Sequence, residues 1–125
     1  MRDQLPHLPN KTRLGRSAEQ QAVNYLGKQG YKIVCRNFRI RRAEIDIIAM
    51  HEGWLVFVEV KARSSGLFGG PAEAVDPRKQ DRIVKAARGY MALKKTELPA
   101  RFDVITIGPA GLEHIKDAFE SLDNY

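Results

Sequence analysis

The chain is poor in cysteine and histidine, and it has no long apolar run. Each shortage removes a class of function. One cysteine, Cys35, excludes an internal disulfide and any cysteine-built zinc site. The three histidines, His7, His51 and His114, are scattered, and no pair has metal-ligand spacing. No apolar stretch reaches the roughly 20 residues that span a bilayer. The N-terminus lacks the hydrophobic core of a signal peptide, so a reducing cytoplasm is the expected setting. There is no phosphate-binding glycine loop of the nucleotide-hydrolase kind and no nucleophile triad. The single tryptophan, Trp54, opens an apolar segment and reads as core.

What remains is one basic domain. Its 125 residues suit a single domain, and 43% hydrophobic content is enough for one core. Lys and Arg number 21 against 15 Asp and Glu, a net charge of +6. That excess suits an anionic partner, either nucleic acid or an acidic membrane surface, and charge alone weighs these evenly with a merely soluble basic protein. Residues 1–13, with Pro6 and Pro9, read as a loose tail, and 14–125 as the folded unit.

Leu14, Ala18, Ala22, Tyr25 and Leu26 recur at helical spacing and Gly30 sits at a stop, which predicts a helix from Leu14 to Gln29. Tyr31–Ile40 reads as a strand running into a basic turn. Glu44–Met50 and Trp54–Ala62 are two more strands, joined by a tight turn at Glu52-Gly53. Residues 64–71, with three glycines and two serines, predict a mobile loop. Asp76-Pro77 is a helix start, with an N-cap followed by proline, and the helix runs to Lys94. Phe102–Ile107 is a fourth strand and Leu112–Ile115 a short fifth. The order α-β-β-β-α-β predicts an α/β fold, a mixed sheet flanked by helices.

The chemistry gathers on the hairpin. A two-residue turn at Glu52-Gly53 pairs His51 with Trp54, sets Asp46 opposite Glu59 and sets Glu44 opposite Lys61. Opposed residues share a face, as do residues two apart, so these four side chains project together. Their neighbours Ile45, Ile47, Val58 and Val60 belong in a core. Opposed carboxylates on half-buried strands repel, and a divalent cation relieves the conflict. Hard oxygen ligands are what Mg²⁺ or Mn²⁺ prefers, and such an ion can polarise a phosphoryl oxygen. Lys61 would then stabilise charge on the attacked phosphate. The structural alternative is an ion-pair patch in which Lys61 and Arg63 satisfy the acids.

An acid-x-Asp strand followed by Glu-Val-Lys resembles the PD-(D/E)xK nuclease superfamily. The segments Glu44-Ile45-Asp46-Ile47-Ile48-Ala49, Val58-Glu59-Val60-Lys61-Ala62-Arg63-Ser64 and Phe68-Gly69 resemble the YraN family of bacterial proteins. So do Gly15 to Ala18 with Glu19, Gly30-Tyr31, Arg36-Asn37 and Arg101-Phe102-Asp103. The resemblance covers about residues 14–107. It implies a restriction-endonuclease-like fold related to archaeal Holliday-junction resolvases and a metal-dependent nuclease acting on DNA. In that pattern Asp46 and Glu59 are metal ligands, Lys61 is the catalytic lysine and Glu19 completes the metal set. Ala43 stands where the family usually has glycine. Junction-cutting relatives further imply a twofold dimer. By helical projection Glu19 lies only at the edge of the apolar stripe, where an exposed acid is the ordinary reading.

Several basic residues are candidates for nucleic-acid contact. Arg36, Arg39, Arg41 and Arg42 precede the acidic strand, and Arg63 follows the Glu-Val-Lys strand. On the second helix Ile83, Ala87, Tyr90 and Met91 face the sheet. Arg78, Arg82 and Lys85 form a stripe that reads as a solvated face. Lys79 points toward the apolar side at the helix start, where it can meet a phosphate or snorkel out. The sequence does not separate DNA from RNA, since nothing in it reads a 2′-hydroxyl. A nucleic-acid-binding module without turnover is the reading from another class.

Overall fold

The structure is a computed structural model that describes residues 13–63 and 76–119. The expected N-terminal tail and the glycine-serine loop lie outside the described residues, apart from Arg13. Helix α1 (Arg13–Lys28) is followed by strands β1 (Lys32–Ile40), β2 (Ala43–His51) and β3 (Trp54–Ala62). Helix α2 (Pro77–Lys94) then leads to β4 (Ala100–Gly108) and β5 (Gly111–Ile115). The five strands form one mixed sheet in the order β1-β2-β3-β4-β5. Neighbours are antiparallel except β3 and β4, which run parallel with α2 in the crossover between them. This is the α/β arrangement expected from the sequence.

Local chemistry explains the elements. Glu52 and Gly53 both have positive φ, at 51° and 85°, which is the two-residue hairpin turn the sequence predicts. Gly30 has φ 91°, and the Tyr31 N–H donates to Leu26 O at 3.0 Å, closing α1. Asp76 caps α2 by accepting from the Lys79 N–H at 3.0 Å, with proline next in the chain. That bond holds the Asp76 carboxyl below the usual carboxylate range.

The helices cover opposite faces of the sheet. Ala22 and Leu26 of α1 pack on Tyr31, Ile47, Ala49, Val56, Val58 and Ile105. Under α2 lie Ile48, Leu55, Phe57, Phe102 and Val104, packed against Ile83, Val84, Ala87 and Tyr90. Phe57 stacks on Phe102 with centroids 5.5 Å apart, and Tyr90 meets Phe38 edge-on at 5.2 Å. Burial on both faces is why β2 and β3 read as near-continuous apolar runs. Among the described residues no helix is long and apolar enough to cross a membrane.

Candidate active site

The acids come together where the sheet is irregular. The β2–β3 ladder runs from His51–Trp54 to Ile47–Val58, in the register expected from the turn. One residue further, Asp46 Oδ2 accepts the Val60 backbone N–H at 2.8 Å. The side chain takes a donor that a regular ladder gives to a backbone carbonyl. Facing also changes here: Ile47 lies in the core under α1, yet Ile45, two residues earlier, lies in the core under α2. On the neighbouring strand Asn37 has φ 55°, between the paired residues Arg36–Ile47 and Phe38–Ile45. Strict alternation therefore breaks at Asp46. The four-residue array predicted from a regular hairpin is redrawn at this point.

A cavity of about 170 Å³ opens beside the break. Its polar lining is Arg42, Glu44, Asp46, Glu59, Lys79 and Arg82, with Ala43 and Ile83 completing the wall. Asp46 and Glu59 are buried, 6% and 5% exposed. Lys79, in the first turn of α2, places Nζ 2.5 Å from Glu59 Oε2. A buried carboxylate needs such a partner or it protonates. Three carboxylates and three cations thus meet at one small space.

Of the residues singled out in the sequence, Glu44, Asp46, Glu59, Lys79 and Arg42 line this cavity. Lys61, two residues beyond Glu59 on β3, is half-buried and is not among the lining residues. Glu19 is 2% exposed, so it is not a surface acid. It too lies outside the lining, and its Oε2 accepts from Arg36 Nε at 3.2 Å and Asn37 Nδ2 at 3.0 Å. Arg36 is thereby engaged with α1, including Gln20 Oε1 at 3.2 Å. Arg39 is exposed and pairs across the ladder with Glu44, while Arg41 and Arg42 form the exposed β1–β2 turn. Arg63 donates its backbone N–H to Ile107 O at 2.8 Å. Arg82 is exposed, as the sequence predicts, and also reaches the cavity.

The donor set suits a hard divalent cation in kind, since Glu44, Asp46 and Glu59 offer only oxygen. In spacing the set is not closed. Among the described residues no three His, Cys, Asp or Glu side chains are gathered as a ready metal cage. The Lys79 ammonium occupies the cationic position beside Glu59.

A second buried polar cluster went unread in the sequence. Asp103, fully buried on β4, is held on every side. Arg101 Nε donates to it at 3.0 Å, His114 Nε2 lies 2.7 Å away, and the Asp117 N–H donates at 3.0 Å. With the His114 proton on Nε2, its Nδ1 accepts from Tyr25 OH at 2.9 Å. Arg101 also donates to Tyr31 OH at 2.6 Å, and Tyr31 stacks on His51 at 3.9 Å. Burial pushes the Asp103 carboxyl up, but the hydrogen bonds from His114, Arg101 and Asp117 outweigh it and hold the group below the usual carboxylate range. Tyr31 is raised, chiefly by burial. This cluster ties α1 to β4 and β5 on the face away from the acid cavity. The alternation Arg101-x-Asp103 was its one visible sign.

A family model described as "Uncharacterised protein family UPF0102" matches residues 18–107. Similar proteins, each described as a UPF0102 protein, come from distant bacteria. One from Bacteroides thetaiotaomicron is 48% identical over 85% of this chain and 91% of its own length. One from Thermodesulfovibrio yellowstonii is 45% identical over 85% and 95%. One from Hahella chejuensis is 47% identical over 85% and 89%.

Proposed function

The chain belongs to the UPF0102 family, and from the cavity at the β2–β3 break we propose a divalent-metal-dependent nuclease acting on DNA. One observation carries the reading: Glu44, Asp46 and Glu59 converge on the same small cavity as Arg42, Lys79 and Arg82. Acids against a core are retained where they have work to do. Acids and cations around one space match a phosphodiester, which brings its own negative charge to a metal held by carboxylates.

In this reading Asp46, Glu59 and Glu44 would hold Mg²⁺ or Mn²⁺, which would supply activation of water and stabilisation of charge on the phosphoryl oxygens. The chain's own residues do the rest. The Val60 N–H fixes the Asp46 carboxylate in place. Arg42 and Arg82 would donate hydrogen bonds to the phosphate at the cavity rim, and the Lys79 ammonium would turn from Glu59 to a phosphate oxygen. Lys61, two residues beyond Glu59 and outside the lining, is the cation that the Glu-Val-Lys pattern would assign to the scissile group. Glu19, clamped by Arg36 and Asn37, positions the irregular stretch of β1 that abuts Asp46. Two such sites in a twofold dimer would suit paired cuts in branched DNA.

The test is cleavage by purified protein with Mg²⁺ or Mn²⁺ on linear, single-stranded and junction DNA, beside Asp46→Asn and Lys61→Ala. Asp46→Asn should abolish cleavage, and Lys61→Ala should lower it by roughly 10²-fold or more while binding changes little. Cleavage by Lys61→Ala at the wild-type rate would remove the lysine from the mechanism. Cleavage confined to RNA would redirect the substrate.

The second reading is a nucleic-acid-binding module without turnover. The Lys79–Glu59 pair favours it, because an ammonium at 2.5 Å already satisfies the buried acid without metal. Tight binding by a wild type that never cleaves would decide for it.

A further inference from the structure

A second, larger hollow adjoins the acid cavity and shares Arg42, Ala43 and Arg82 with it. It lies between the β1–β2 turn and α2 and measures about 890 Å³. Its floor is apolar, formed by Ile40, Ala43, Ala86 and Gly89. Gly89 lets the floor form: a Cβ there would stand 2.6 Å from Ile40 Cδ1. Four cations, Arg41, Arg42, Arg82 and Lys85, make the rim, and among the described residues no carboxylate lines the hollow. Lys85 pairs with Asp81 at 3.0 Å, whereas Arg41, Arg42 and Arg82 form no salt bridge among the described residues.

We propose that this hollow seats unpaired nucleotides of a DNA strand next to the scissile phosphate. The argument is one of complementarity. A duplex turns its phosphates outward and keeps its base faces stacked inside, so it has no use for an apolar floor. An unpaired strand offers both a phosphate chain for the guanidinium rim and flat base faces for the floor. Arginine planes can themselves stack on bases. The volume lies in the range of ligand pockets, about 300–1,000 Å³. Continuity through Arg42 and Arg82 leads the strand from the hollow to the carboxylates. The proposal rests on reading the smaller cavity as a phosphodiester site, and it adds that the preferred substrate carries a single-stranded segment there.

The test separates the two claims by measuring binding in EDTA, where no cleavage occurs. Fluorescence anisotropy compares three probes of equal length: oligodeoxythymidine, a duplex, and an abasic strand with the same phosphates. The variant Arg41→Asn/Lys85→Gln removes two rim charges that line only the larger hollow. Asparagine suits the left-handed backbone at position 41, where φ is 54°. Lys28→Ala, an exposed cation at the end of α1, is the control. Wild type should bind the thymidine strand about tenfold more tightly than the duplex or the abasic strand. The double variant should lose about tenfold on the thymidine strand, and its salt slope should fall by about one to two. Its duplex affinity should change no more than that of Lys28→Ala. Equal wild-type affinity for all three probes overturns the proposal, as does a loss in the double variant that matches the control. Binding of this pattern without any cleavage in metal would sink the nuclease reading and leave the hollow standing. Cleavage in metal with no strand preference would do the reverse.

Discussion

Lys79 and Glu59 stand 20 residues apart in the chain, yet the lysine ammonium lies 2.5 Å from Glu59 Oε2. The pair joins the start of α2 to the buried end of β3. It makes the neutrality of the acid cavity depend on the helix that forms the crossover from β3 to β4.

Replacing that lysine should expose the cost of the carboxylate. Lys79→Met keeps the apolar stem and removes the charge beside an acid that is 5% exposed. The metal-free variant should lose about 1–3 kcal/mol of stability, read from urea unfolding. Millimolar Mn²⁺ should then stabilise the variant more than the wild type, because no ammonium competes for Glu59. An equal gain in both proteins would show that metal and Lys79 do not compete.

Asp46 has two duties that substitution can separate. Asparagine still offers an oxygen to the Val60 N–H, whereas alanine leaves that donor without its side-chain acceptor. Asp46→Ala should therefore be less stable than Asp46→Asn by about 1–3 kcal/mol in metal-free unfolding. Both should lack metal-dependent cleavage. Two variants of equal stability would mean that the Asp46–Val60 bond does not help hold the break in shape.

Asp103 predicts a distinct acid sensitivity. Its folded carboxyl is held below the usual range, so its stabilising contribution is present above the ordinary aspartate value of about 4. The contribution fades as pH falls through the lower folded value. At neutral pH, Asp103→Asn leaves Arg101 without its carboxylate and should cost about 3–5 kcal/mol. The gap from wild type should narrow once the pH drops below about 4. Urea midpoints measured across pH check this, and a gap that stays constant into strong acid would show that Asp103 ionisation is not the source.

Local signals were legible from sequence, and long-range ones were not. Glu52-Gly53 and Asp76-Pro77 state their geometry within a few residues, and the turn was enough to place β2 against β3. The break at Asp46 was hidden, because alternation of Ile and Val gives no sign of where a strand stops alternating. A helical wheel points Lys79 inward, but its partner lies on β3, 20 residues earlier in the chain. The same wheel gives the exposure of Arg82 correctly, but it contains no neighbouring turn to show that the residue shares a cavity with Arg42. Histidine 114 looked isolated for the same reason: its partners Asp103 and Tyr25 lie 11 and 89 positions away.

The parallel pairing of β3 with β4 also dictates an order of events. The β2–β3 hairpin is a local structure that can close quickly, while the parallel partner must wait for α2 to pack and return the chain. A hairpin that closes first brings Asp46 and Glu59 together before Lys79 arrives to offset them. It would then carry its own electrostatic penalty, and the acids would act as a brake on folding. Added salt or Mn²⁺ should speed refolding, and Glu59→Gln should speed it without either. Refolding rates indifferent to all three would place the assembly of the cavity after the rate-limiting step.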